Sequence, residues 1–198
     1  MSIVTCDISV SADGFAAGPG QTREQPFGTI EHNRMHDWMF EAEAENQAEV
    51  EAITDAGAFI MGRNMFGPDR GEWDLEWRGW WGEDPPYHAP VFVLAHRERA
   101  DLPMAGGTTF SFVTDGIHSA LEQAREAAGD KTVAIAGGAN TINQYLSERL
   151  IDELRVHITP SIIGSGERLF DGVPSMELEQ VSARGTSLVT HIIYRPVR

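Results

Sequence analysis

The sequence of 198 residues predicts an α/β fold in which a central β-sheet is covered on both faces. Apolar runs of strand length alternate along the chain with segments of helical periodicity. The runs in the middle are continuously apolar rather than alternating, which is typical of parallel strands buried on both faces. The sequence has no internal repeat and no low-complexity linker, so a single domain spanning residues 1–198 is expected.

The composition limits which binding partners and which cellular compartment are expected for the protein. A formal net charge of −15 disfavours nucleic acids and anionic membranes, because such a surface repels them. Cys6 is the one cysteine, which excludes an intrachain disulfide and a multi-cysteine zinc site and favours the cytoplasm. The amino terminus lacks the pattern of an export signal, and no apolar stretch is long enough to span a membrane.

The first half of the chain predicts strands over residues 3–10 and 58–61, with a loop over residues 15–29 between the first strand and a helix. One long helix is expected from about Asn33, with a glutamate-rich outer face. Its apolar positions recur at helical spacing and are Met35, Trp38, Met39, Ala42, Val50 and Ile53. Residues 69–90 are irregular and aromatic. We interpret them either as a lid or subunit contact or as the wall of a pocket for a planar substrate.

The second half predicts a regular alternation of strands and helices. The expected strands cover residues 91–95, 109–113, 132–136, 153–163 and 187–195, and the expected helices cover residues 117–128 and 141–150.

Three of the predicted strands end in small or basic residues, at the place where open α/β sheets bind ligands. These strand ends are Met61-Gly62-Arg63-Asn64, Leu94-Ala95-His96-Arg97 and Ile135-Ala136-Gly137-Gly138-Ala139-Asn140. The glycine pair before a helix suits a pyrophosphate, although a plain tight turn has the same sequence. Arg63 and Arg97 suit a phosphomonoester such as the 2′-phosphate of NADPH, although both could simply be solvated. The spacing does not match Gly-x-Gly-x-x-Gly, so an ordinary Rossmann site is not predicted.

Four motifs, in order, carry a resemblance to a known family. They are Asp13-Gly14-Phe15-Ala16-Ala17-Gly18, Met61-Gly62-Arg63, Ala136-Gly137-Gly138-Ala139, and the stretch from Asp152-Glu153-Leu154 through Pro160 to Gly164-Ser165-Gly166 and Leu169-Phe170. The chain resembles the dihydrofolate reductase superfamily and, within it, the RibD C-terminal domain of riboflavin biosynthesis. The resemblance implies a three-layer sandwich around an eight-stranded, mostly parallel sheet with an antiparallel C-terminal edge. It also implies a homodimer that uses NADPH to reduce a pteridine, pyrimidine or related heterocycle.

The resemblance further implies roles for individual residues. The expected cofactor contacts are Ala17, Gly18, Gly62, Arg63, Asn64, His96, Arg97, Gly137, Gly138, Ala139, Asn140 and Thr141. Among them, Arg63 would meet the 2′-phosphate, and Ala17 and Gly18 would close over the nicotinamide. The acceptor would lie near Trp38 and His157, where His157 is either a core histidine or a proton donor.

The proton donor is the main departure from the family pattern. Met35 stands where dihydrofolate reductases carry an acid, which leaves Asp37, Asp13 or a water as candidates. Asp37 could instead be a solvated helix residue, and Asp13 could cap a turn. His32 and His36 are four residues apart without a third ligand, so no metal is expected.

Two further departures concern the substrate and the activity. The riboflavin enzymes carry an Asp-Pro and a basic residue that engage their phosphoribosyl substrate, whereas this chain has the acidic, tryptophan-rich residues 69–90. The acids there and in the long helix are expected to lie away from the phosphate site. Both features argue against a phosphorylated substrate. The missing acid also leaves open a non-catalytic module that binds a nucleotide or a flavin-type cofactor.

Overall fold

The computed structural model of the protein describes residues 2–31, 34–68 and 71–197, and its main sheet has nine strands. The strands are β1 Val4–Ser11, β2 Phe15–Ala17, β3 Ala58–Gly62, β4 Pro90–Leu94, β5 Leu102–Pro103, β6 Thr109–Val113, β7 Val133–Gly137, β8 Glu153–Thr159, β9 Glu167–Arg168, β10 Leu178–Gly185 and β11 Thr190–Pro196. The helices are α1 Asp37–Phe40, α2 Glu43–Thr54, α3 Arg63–Phe66, α4 Ile117–Ala128 and α5 Ala139–Ser147.

The strand order of the main sheet is β10-β11-β8-β1-β7-β3-β4-β6-β5. The strands from β8 to β6 in this order are parallel to one another, whereas β11 and β10 form an antiparallel edge at the C-terminal side. This arrangement confirms the predicted fold class. The sheet has one strand more than the expected eight, because β5 pairs with the opposite edge over two residues. Strand β10 escaped prediction because it is almost wholly exposed and lacks an apolar pattern.

Both faces of the sheet are covered, by different means. On one face, Ile60 and Ile135 pack with Leu121 of α4 and Ile142 of α5. Over β3, β4 and β6 the other face is covered by Phe66, Tyr87 and tryptophans from the irregular segment. Over β1, β8 and β11 it is covered by Trp38 of α1, which contacts His157 and His191. In the described ranges, no helix is long and apolar enough to cross a membrane.

The prediction of one long helix from Asn33 to Ile53 is wrong. Asn33 itself lies outside the described residues, and the remainder forms two helices, α1 and α2, that are separated at residues 41–42. Asn46 explains the break, because its buried amide donates to the backbone oxygens of Trp38 and Ala42 at 3.1 and 2.7 Å. The backbone of Asn46 is itself non-helical, with φ −126° and ψ 15°.

Candidate cofactor and acceptor site

The ends of β7, β3 and β4 lie side by side at the carboxyl edge of the sheet. Met61 pairs with Gly137, and Gly62 pairs with Leu94, so the three motifs that the sequence singled out form one continuous surface. Adjacent parallel strands place their carboxyl ends together, and this is the crevice where open α/β sheets bind ligands.

The start of α5 offers backbone donors at this edge. Gly138 precedes the helix, is exposed, and has open space where a side chain would project. In the described part of the chain, no side chain caps the helix, so the first N–H groups of the nine-residue helix keep their donor capacity. A Cβ at Gly62 would collide with the Thr141 hydroxyl, which shows how closely α5 lies against the end of β3. The peptide bond between Gly137 and Gly138 is cis.

Arg63 and Arg97 follow the ends of β3 and β4 and both contact residues 72–73. The Arg63 guanidinium stacks on the Trp73 ring, 3.8 Å from its centroid, and donates to the backbone oxygen of Glu72. The Trp73 indole donates to the Arg97 backbone oxygen at 3.0 Å, and the Arg97 guanidinium forms an ion pair with the Glu72 carboxylate. The expectation that the acids of residues 69–90 lie away from the phosphate site and its arginines is therefore wrong for Glu72.

Residues 71–87, which we call the tryptophan segment, pack on the protein's own sheet. Asp69 and Arg70, which the predicted irregular segment included, lie outside the described residues. Trp73 contacts Phe66 and Phe112, and Trp81 stacks near Phe110 at 5.9 Å between centroids. The segment thus covers this face of the sheet without a helix, and its tryptophan side chains are half-buried against the chain's own aromatic residues.

An open cleft of about 610 Å³ adjoins the β4 end of the edge, and sequence reasoning missed it. Its lining comes from the loop after β4 and from the end of β6, and includes Arg99, Asp101, Thr114 and Asp115. These residues come after β4 and β6 without a glycine or another recognisable motif, so no sequence pattern predicts the cleft. His96 is exposed in the same loop after β4.

The loop after β1 is more ordered than the predicted loop. Ala17 belongs to β2 and pairs with Glu167 of β9, and the Gly18 N–H donates to the Phe27 carbonyl at 2.8 Å. Asp13 accepts from the Ser11 hydroxyl and from the backbone N–H groups of Ile163 and Gly164. Burial raises the pKa of Asp13, but these hydrogen bonds together outweigh burial and lower the pKa below its usual value. Asp13 therefore braces the loop as an ionised carboxylate, which opposes a role as proton donor.

The acceptor side, under α1, is closed. Trp38 and His157 lie against each other with their ring centroids 4.8 Å apart, and they are 0% and 2% exposed. Met35, in the place of the missing acid, is also buried. Asp37 points away to the surface, where Arg34 holds its carboxylate at 2.7 Å. The expected acceptor contacts are thus brought together, but neither presents surface to a ligand in this structure.

Comparison with known proteins agrees with the fold. The sequence matches the RibD C-terminal domain family over residues 2–190. It is 32% identical over 203 residues to the uncharacterized protein YyaP of Bacillus subtilis, a match that covers 96% of this chain and 93% of the relative.

Two solved structures are similar over nearly their whole length. A candidate riboflavin biosynthesis protein from Shewanella sp. PV-4 has a TM-score of 0.62 at 22% identity, covering 99% of both chains. Enterococcus faecalis dihydrofolate reductase, solved with NADP(H), has a TM-score of 0.56 at 12% identity and covers 99% of this chain and 97% of its own. This chain belongs to the RibD C-terminal domain family, because the family model matches residues 2–190 of its sequence.

Proposed function

We propose that the protein is an NADPH-dependent reductase of the dihydrofolate reductase and RibD C-terminal type, which transfers hydride to a pteridine, pyrimidine or related heterocycle. The observation that carries the proposal is the carboxyl edge itself. There the uncapped start of α5 and two arginines meet at the adjoining ends of β7, β3 and β4. A family and a fold typical of NADPH-dependent reductases support it.

The residues at the edge fit a dinucleotide. The N–H groups of Ala139, Asn140 and Thr141 would bind the pyrophosphate, which can approach closely because Gly138 has no side chain. NADPH would supply the hydride, and the protein would hold the nicotinamide against the acceptor and exclude water. The buried residues Ala17 and Gly18 lie in the β2 segment that would close over the nicotinamide.

Arg97 is available for the 2′-phosphate at low cost, and Arg63 follows the end of the neighbouring strand. Glu72 and Arg97 are 84% and 50% exposed, and an exposed ion pair contributes only about 0–1 kcal/mol. A phosphate can therefore displace Glu72 from Arg97 with little loss of stability. Asn64 and His96 adjoin the two arginines in the sequence and would flank the adenosine, and the 610 Å³ cleft is lined by residues 98–101, which follow in the same loop as His96. The acids of the tryptophan segment would repel a second phosphorylated molecule that enters beside them, which favours an acceptor without phosphate.

The proposal places the protein in the cytoplasm as one domain that forms a homodimer. Cys6 is buried as a free thiol, which agrees with a reducing compartment. Strand β10 ends the sheet with almost all of its residues exposed, so it offers surface for a second copy of the chain.

The experiment is a titration of the full chain with NADPH and NADH by calorimetry, followed by assays of NADPH oxidation with a panel of pteridines and pyrimidines. We expect NADPH to bind more tightly than NADH and to be oxidised by at least one heterocycle. Absence of NADPH binding at about 1 mM would overturn the proposal, since this is at the upper end of the KM values of about 1 μM to 1 mM that are typical of enzymes.

One observation favours a second candidate, a binding module without catalysis. Trp38 and His157 fill the acceptor side, so a nucleotide or flavin-type cofactor could bind at the edge while no acceptor enters. Stopped-flow mixing separates the candidates, because a module would bind NADPH that no heterocycle ever oxidises.

A further inference from the structure

A chain of buried polar side chains lies beneath Trp38, on the sheet face that α1 and α2 cover. It runs from Asn46 on α2 to His191 on β11, then to His157 on β8 and Asp7 on β1. His191 Nε2 lies 2.9 Å from Asn46 Oδ1, and the Nδ1 atoms of His191 and His157 lie 2.7 Å apart. His157 Nε2 lies 3.5 Å from Asp7 Oδ1. No role in the cofactor site explains four polar side chains buried in this order.

The protons along this chain follow from hydrogen-bond chemistry. The Asn46 amide nitrogen donates to the carbonyls of Trp38 and Ala42, so Oδ1 faces His191 and can only accept. His191 Nε2 must therefore carry a proton. Burial, together with the charge of His157, lowers the pKa of His191 to about 4, so this imidazole is neutral and its Nδ1 is bare. The short contact between the Nδ1 atoms then requires that His157 Nδ1 donates.

The remaining nitrogen of His157 meets a carboxylate. His157 Nε2 and Asp7 Oδ1 are both fully buried, and neither finds a hydrogen-bond partner within the described part of the protein. If both were bare, two lone pairs would face each other out of reach of water, which is costly. A single proton between the two atoms removes this conflict, whether it is formally on the imidazole or on the carboxyl group.

The charged and titratable groups around Asp7 and His157 do not compete for that proton. Arg155 on β8 approaches the other oxygen of Asp7 at 3.6 Å, but it is also paired with Glu153 at 3.0 Å. Glu49 of α2 is held by Arg184 of β10. His36, before α1, is neutral near pH 7, because burial and the charge of His157 lower its pKa to about 4 despite the opposing effect of Asp37.

We infer that Asp7 and His157 share one proton beneath Trp38, and that this is the proton delivered to the acceptor. The delivery step rests on the proposed function. The acceptor's C=N bond would receive hydride from the reduced nicotinamide at carbon and the shared proton at nitrogen. The acceptor would thereby be reduced and the nicotinamide oxidised, and Asp7 and His157 would regain a proton from solvent. Trp38 must move aside for this step, so the proton stays shielded until the acceptor is present.

The shared proton can be tested without cofactor or acceptor. We expect nitrogen-15 spectra of the histidine side chains in the full chain near neutral pH to show a proton-bearing Nε2 at His157 and the Nε2–H tautomer at His191. In Asp7→Asn, His157 Nε2 should become bare, because an amide can donate to it. Thr5→Val is the matched control, since Thr5 is buried on the same strand and face and should leave the spectra unchanged. A bare Nε2 in the wild type, for example one bridged to Asp7 by a water, would overturn the inference.

The delivery role is tested by single-turnover oxidation of NADPH with an accepted heterocycle. Asp7→Asn should slow this step by about 100-fold or more, since general-acid catalysis contributes about 100- to 10,000-fold, while the NADPH dissociation constant changes less than about twofold. A full rate in Asp7→Asn would overturn delivery and leave the proposed function standing. If the wild type oxidises no NADPH with any acceptor, the proposed function and delivery both fall, and the spectra alone decide on the shared proton.

Discussion

The cofactor end and the acceptor end of the candidate site consist of different kinds of chemical group. At the carboxyl edge, the groups that would meet the cofactor are backbone N–H groups, glycines and half-exposed arginines, each near the end of one strand. Beneath α1, the groups are buried side chains from β1, β8, β11 and α2 that contact one another. The difference implies that cofactor affinity can be changed without loss of stability, whereas any change on the acceptor side also affects folding.

The largest expected effect is the loss of stability when a buried side chain on the acceptor side is removed. Trp38→Ala removes a fully buried side chain that packs on two histidine rings and donates to Ser9, so it should lower the free energy of unfolding by about 3–5 kcal/mol. Urea denaturation measures this loss. Trp73→Ala at the cofactor edge is the matched comparison and should cost clearly less, because Trp73 is only half-buried. Equal losses in the two variants would remove the distinction between the two ends.

Low pH should destabilise the acceptor side, where His36 lies before α1. The pKa of His36 is lowered to about 4, so below its ordinary value of 6.5 the unfolded chain binds a proton that the folded chain does not. The contribution of His36 to stability is therefore full above about pH 6.5 and falls as the pH decreases towards 4, by up to about 3 kcal/mol. His36→Phe should reduce this fall in denaturation curves recorded across that range, and exposed His118→Gln should not. An identical acid profile in His36→Phe would contradict the assignment.

At the cofactor edge, Arg63→Ala should weaken NADPH binding more than it weakens NADH binding. Loss of a charge-assisted contact to the 2′-phosphate should weaken NADPH binding about 10- to 100-fold and leave NADH binding unchanged. Calorimetry with both cofactors measures the ratio. Arg78→Ala is the control, because Arg78 lies in the tryptophan segment but contacts Pro103 and Met104 instead. If NADH binding weakens as much as NADPH binding, Arg63 does not recognise the 2′-phosphate.

The smallest effect concerns Glu72. Glu72→Gln frees Arg97 from its ion pair and removes a negative charge beside the expected phosphate, so NADPH binding should tighten by a few-fold. The free energy of unfolding should stay within about 0.5 kcal/mol of the wild type, because both partners are largely exposed. Weaker NADPH binding in Glu72→Gln would mean that Glu72 holds Arg97 in its productive position.

The same contrast explains what could be predicted from the sequence. The fold class and the edge motifs were accessible, because an apolar run that ends in Gly137-Gly138 or Gly62-Arg63 is a local pattern. The proximity of these motifs to one another could also be predicted, because adjacent strands of a parallel sheet place their carboxyl ends at the same edge. The ion pair of Glu72 with Arg97 was not accessible, because it depends on the path of an irregular segment that no periodicity describes.

The acceptor side was hidden for a related reason. The helical spacing from Met35 to Ile53 is genuine, but a buried Asn46 bonds to two backbone carbonyls and breaks the helix. His157 was noticed as a single residue, whereas its partners Asp7 and His191 are 150 and 34 positions away in the sequence. Contacts of that range become visible only when β1, β8 and β11 are aligned in the sheet.

The central claim is that a reduced nicotinamide dinucleotide binds at the carboxyl edge. The most direct measurement follows the backbone amide resonances of the glycines while NADPH is added. We predict that Gly62, Gly137 and Gly138 shift together with one dissociation constant, whereas Gly57 and Gly129, before β3 and after α4, stay unchanged. Unshifted resonances at Gly62, Gly137 and Gly138 under saturating NADPH would contradict the account.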